Sequence, residues 1–229
     1  MKLNTHLRIE ANYNSEPLVQ LSEKNHSWDH QLAQIISRVL SPPLLVLFGM
    51  ILMAKSLGGG EIYGWVVLYT MMTVLIPVVY IAIQVQRGRI TDFHMKNREQ
   101  RNIPLLLTFL CAIGAWWMMS QAQVPNALVI FAVIGIFQTG LLWLITLRWK
   151  ISGHATTISG LAVFLCGLYG WIAAPGLLVI PMVAWARVRL SRHDLWQTIA
   201  GTAFGVSSMV VALYLISWQC QGGFVFCVK

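Results

Sequence analysis

The sequence predicts an all-α fold, a polytopic transmembrane helical bundle of six or seven spans, and three observations predict it. Of 229 residues, 57% are hydrophobic and only 10% charged, with a mean hydropathy of +0.66; that composition excludes a water-soluble domain of this size. Apolar stretches recur near 39–56, 62–85, 103–120, 126–148, 155–173, 174–188 and 195–218, at or close to the roughly 20 residues that cross the hydrocarbon. The basic residues cluster at the ends of these stretches and between them.

Taken in order, residues 1–32 form a polar tail containing Asn12, Tyr13, Asn14, Ser15, Glu16 and Pro17. No apolar core follows a basic start there, so a cleaved signal peptide is not expected. Trp28, Leu32, Ile35 and Ile36 have the spacing of an amphipathic turn lying on the membrane surface, or of an ordinary extension of the first span. The bundle occupies 33–218. Its least regular member is 174–188, which is short and carries Pro175 and Pro181; proline inside a helix kinks it, and the count of six or seven turns on this segment. Cys111 and Cys166 fall within spans, where packing is the expected role. Trp116, Trp117, Trp143, Trp171, Trp196 and Trp218 lie near segment ends, as an interfacial aromatic belt requires. The C-terminal tail, 219–229, holds Cys220 and Cys227. Outside the cytoplasm these two suit a disulfide; inside it they are free thiols.

If all seven segments span, every one of the 16 Lys and Arg residues except Lys55 and Lys229 falls on one side. The positive-inside rule then puts that face and the N-terminus in the cytoplasm. The same parity brings the loop after residue 86, the segment around Ser152 and the segment from Arg187 to one membrane face. Ionisable groups at such positions are usually functional.

Two short stretches on this face carry chemistry. Ser152-Gly153-His154 follows Lys150 and leads into an apolar helix. Ser152 suits an N-cap, the backbone N–H groups of the first turn suit an anion, and Gly153 permits close approach to it. Read alone, this tripeptide is better described as an ordinary cap with an interfacial histidine; its neighbours change that reading. The second stretch is Ala186-Arg187-Val188-Arg189-Leu190-Ser191-Arg192-His193, followed by Gln197. Arginines hold a phosphate dianion, while imidazoles attack phosphorus or donate protons.

Together these stretches resemble the type-2 phosphatidic acid phosphatase family, whose pattern is KxxxxxxRP, then PSGH, then SRxxxxxHxxxD. Arg187 and His193 stand at the family's separation. The resemblance covers roughly residues 87–205 and implies a membrane phosphatase domain that uses neither metal nor cofactor. In that reading His193 is the nucleophile that forms a phosphohistidine and His154 protonates the leaving group. Arg187, Ser152 and Gly153 bind phosphate. The implied partners are the bilayer and a lipid phosphate monoester or diphosphate, such as phosphatidate or an isoprenyl phosphate, with no nucleic acid.

Departures from the pattern are specific. Ile151 replaces the proline of the middle motif, Ala186 the serine of the last, and Gln197 the final acid. A glutamine can orient His193 through its amide oxygen but supplies no charge. In the first motif Arg101 fits the arginine, yet Asn102 follows it and His94 stands in place of the lysine. Arg98 or Lys96 is the expected substitute, inferred from the helical face that residues 98 and 101 would share.

Other classes are less well served. The eight acidic residues include no DxxxD pair for magnesium-diphosphate chemistry, there is no Cys/His metal constellation, and no GxxxxGK[ST] loop occurs. The alternative that remains is a non-catalytic transporter or binding protein that holds anions at the same face.

Overall fold

The computed structural model describes residues 27–91, 95 and 97–219. Among them every regular element is helical, as expected: α1 (Trp28–Val39), α2 (Pro42–Leu57), α3 (Gly60–Thr70), α4 (Ile76–Gln86), α5 (Asn102–Ser120), α6 (Asn126–Thr146), α7 (Gly153–Tyr169), α8 (Val179–Arg189) and α9 (Leu195–Gln219). A π turn at Met71–Leu75 joins α3 to α4, and a 3-10 stretch at Gly170–Leu178 joins α7 to α8.

Local chemistry explains the breaks. Ser41 is extended because Pro42 follows it, as proline disfavours the helical region for the preceding residue. Prolines at the start of α2 then restart the helix, bent by 45° from α1. The π turn sits just before Pro77, and Thr73 there donates its hydroxyl to Tyr69 O at 2.7 Å; such turns accommodate a disturbed i→i−4 ladder. Gly170, at φ 63°, terminates α7 in a backbone conformation that side chains resist. The sequence boundary near 173 therefore moves back to Tyr169.

Five helical stretches among the described residues are long and apolar enough to cross a membrane, and the bent pair α1–α2 makes a sixth. One of them, Gly153–Arg189, doubles back. A straight helix of its 37 residues would run about 55 Å, yet residues at its two ends, His154 and Arg187, both meet Ser37. Counting α7 and the returning 3-10–α8 leg separately, the described residues traverse the bundle seven times. Large apolar side chains cover the outside, with Ile103, Phe137, Tyr214 and Trp218 each at least 60% exposed. An apolar surface on this scale belongs in lipid, and the architecture is that of a multi-pass membrane protein.

The contact that positions the site is α7 against α9. Gly201 and Gly205 form a GxxxG face on which the α7 backbone rests. A Cβ at Gly201 would come within 2.6 Å of Ser152 O, and one at Gly205 would collide with Thr156 O and Ser159 Oγ. Small residues allow this approach inside a membrane, where hydrophobic burial does little to hold helices together. Polar bridges lock the register: Ser159 Oγ donates to Thr202 O at 3.1 Å, and Gln138 Nε2 donates to Ser208 Oγ at 3.2 Å from α6 to α9. Phe131 and Phe164 pack edge to face behind them at 5.3 Å.

Candidate active site

Four segments far apart in sequence meet at one end of the bundle. Arg98 donates to Arg148 O, Ser152 N–H to Gln197 O at 3.2 Å, and Arg189 to Asp29 at 2.6 Å, while Ser37 lies against both His154 and Arg187. The juxtaposition expected from topology is therefore present.

Ser152 caps α7 as its sequence predicts. Its hydroxyl accepts from Ala155 N–H at 3.4 Å, its carbonyl accepts from Thr156 N–H at 3.0 Å, and the residue is fully buried. Gly153 opens the helix. A side chain there would meet nothing within 4 Å, and its φ lies outside the left-handed range, so neither packing nor conformation demands glycine. Its effect is to leave the positive end of α7 open to an anion.

A tight turn aims the second stretch. Ser191 N–H donates to Val188 O at 2.9 Å and Arg192 N–H to Arg187 O at 3.1 Å, the paired bonds of a Schellman motif. Its left-handed position, normally glycine, is Ser191 at φ 52°. The chain leaves this turn into His193, and Asp194 then caps α9. Asp194 Oδ1 accepts from Gln197 N–H at 2.8 Å while Gln197 Oε1 accepts from Asp194 N–H at 3.4 Å, a reciprocal capping box. The same Gln197 Oε1 meets His193 Nδ1 at 2.9 Å. An amide oxygen only accepts, so Nδ1 carries the hydrogen and Nε2 keeps its lone pair.

His193 is 6% exposed, and its pKa falls from 6.5 to about 3, first through burial and then through the positive charges of Arg101 and Arg187. Lys150 adds to this effect, and the Gln197 hydrogen bond opposes it. The ring is thus neutral at physiological pH and held among three cations.

The structure brings Arg101, Ser152, Gly153, His154, Arg187, His193 and Gln197 to one end of the bundle. Arg101 donates Nε to Met95 O at 2.9 Å and bears electrostatically on His193. Arg98 precedes the 3-10 turn at Glu99–Arg101 and reaches across to Arg148 O, while the charge of Arg101 acts on His193. Lys96 lies outside the described residues. Lys150 is a cation that sequence reasoning did not assign to the site; its place two residues before Ser152 was the available signal. Ser37 was also missed. It shares a buried α1 face with Ala33 and Ile36, and only the serine at helical spacing hinted at a polar role.

An apolar groove of about 370 Å3 begins below this cluster. Ile158, Leu161 and Leu165 follow His154 down one α7 stripe and line it with Leu40, Phe48 and Val179. Its volume lies in the range of small-molecule sites.

Comparison with family models, curated proteins and solved structures finds no match for this chain.

Proposed function

We propose that the protein hydrolyses a lipid phosphate monoester or diphosphate through a phosphohistidine. The observation that carries this reading is His193: a buried neutral imidazole, its Nδ1–H fixed by Gln197 Oε1, held among Arg101, Arg187 and Lys150. Nε2 attacks phosphorus, the P–O ester bond breaks, and His154, entering as the imidazolium with Nε2–H on Ser37 O, gives its Nδ1 proton to the departing oxygen. Water then attacks the phosphohistidine, His154 takes a water proton, and cleavage of the P–N bond restores neutral His193. The cations offset charge on the equatorial oxygens. Gln197 orients the ring without supplying the negative charge of a carboxylate, so the phosphoryl oxygens themselves balance the transient imidazolium.

The apolar groove beneath His154 supports a lipid substrate whose hydrocarbon lies in the bundle and whose phosphate sits at its rim. The site end is also the basic end: Arg38, Arg87, Arg148, Lys150, Arg189 and Arg192 lie there, with Lys55 at the far end of α2. The positive-inside rule supports reading this end as the cytoplasmic face.

The test is phosphate release in EDTA from phosphatidate, lysophosphatidate, and isoprenyl phosphates and diphosphates, comparing purified parent with His193→Ala. Release by the parent alone is expected. No release from any substrate overturns the reading in favour of anion binding or transport at the same face.

A further inference from the structure

We infer that Ser37 is a positioning residue of this site, joining Arg187 to His154 from a helix that none of the three motif segments includes. The inference rests on the phosphatase reading above for the roles of those two residues, but its geometry stands separately. Arg187 Nη1 donates to Ser37 Oγ at 2.7 Å, and both residues are 1% exposed. His154 Nε2 lies 3.3 Å from Ser37 O. One residue thus holds the guanidinium with its side chain and the imidazole with its backbone.

The chemistry of the partners fixes the direction of each bond. Guanidinium only donates, so the Ser37 hydroxyl accepts; a carbonyl only accepts, so His154 Nε2 carries a hydrogen. The guanidinium of Arg187 is a planar fork of donors. Anchoring one nitrogen to Ser37 therefore sets the plane in which the rest are presented. Holding His154 by the neighbouring carbonyl places the proton donor at a set distance from that plane. Precise mutual placement of this kind is where much of catalysis resides.

The helix that carries Ser37 is itself secured. At the other end of α1, Asp29 receives Arg189 Nε at 2.6 Å and Nη2 at 3.3 Å, and Ser27 Oγ lies 3.2 Å from Nη2. Alanine at 33 and serine at 37 give α1 the small face that lets it lie against α8.

The experiment measures orthovanadate affinity and the KM and kcat of lipid phosphate hydrolysis for the full-length protein and for Ser37→Ala, Ser37→Thr and Asp29→Ala. Ser37→Ala should weaken vanadate binding and raise KM roughly tenfold, the scale of a hydrogen bond to a charged group, with kcat changed less. Ser37→Thr keeps the hydroxyl and should restore both constants. Asp29→Ala, which loosens α1 at its other end while leaving the Ser37 hydroxyl and carbonyl in place, should weaken vanadate binding less than Ser37→Ala does. Unchanged constants in Ser37→Ala, equal losses in the alanine and threonine variants, or an equal loss in Asp29→Ala would overturn the assignment while leaving the phosphatase reading intact. Vanadate binding that depends on Ser37 in a parent without hydrolysis would overturn the phosphatase reading and leave the assignment standing. A parent that neither binds vanadate nor hydrolyses lipid phosphates overturns both.

Discussion

At the scale of single residues, His193 links the proposed chemistry to stability. Its folded pKa, about 3, lies below the ordinary 6.5, so on acidification the unfolded chain takes up a proton that the fold refuses. Stability from this group is full above pH 6.5 and is lost as pH falls towards 3. By pH 5 the loss is about 2 kcal/mol. A His193→Gln variant should lack this component, which melting curves of the two purified proteins at pH 7 and pH 5 would reveal; parallel acid sensitivity would contradict it. Ser191 makes a second residue-scale case. A non-glycine residue in the left-handed region costs about 1 kcal/mol or more, so Ser191→Gly should raise the melting temperature of the purified protein. If it lowers it, the strained turn is not where the cost resides. Gln197 shows how a departure from a family pattern gains a physical explanation: it closes a capping box with Asp194 while holding His193, and both tasks use one amide oxygen.

At the scale of elements, the packing of α7 on α9 carries the site. Valine at Gly205 would drive a side chain into Thr156 O and Ser159 Oγ, atoms of the same α7 turns that follow Ser152. Overpacking of this kind costs about 1–3 kcal/mol, and Gly205→Val should lower both melting temperature and phosphate release. Gly167→Ala is the comparison, since its Cβ would come within 2.8 Å of only the mobile end of Leu213; an equal effect of the two variants would contradict the backbone contact as the source. Element identity was readable from apolar run length, and so was the weakness of 174–188, where Pro175 falls in a 3-10 stretch. The Ser152 cap was readable because capping is local. Ser37 and Lys150 were not readable as site residues: which charges surround an imidazole depends on how helices cross, and neither apolar periodicity nor a motif encodes a contact 150 positions long. The contact of Arg98 with the Arg148 carbonyl was hidden for the same reason.

At the scale of the whole molecule, α9 leaves the site end and runs to Gln219 at the opposite end of the bundle. If the site end faces the cytoplasm, Gln219 lies at the outer end, and Cys220 and Cys227, outside the described residues, follow it in sequence. After reduction, a membrane-impermeant thiol reagent should label them in intact cells, whereas labelling that requires permeabilisation would reverse the orientation. The packing of α9 against α7 has a further consequence for biosynthesis. His193 emerges from the ribosome before its orienting amide, and the turn carrying Ser152 waits for Gly201 and Gly205 to seat against it. A nascent chain that has inserted everything up to Arg192 holds most of the cationic groups but no assembled centre. Competence of the proposed site to bind or react is thus acquired in a single event, when α9 enters the bilayer.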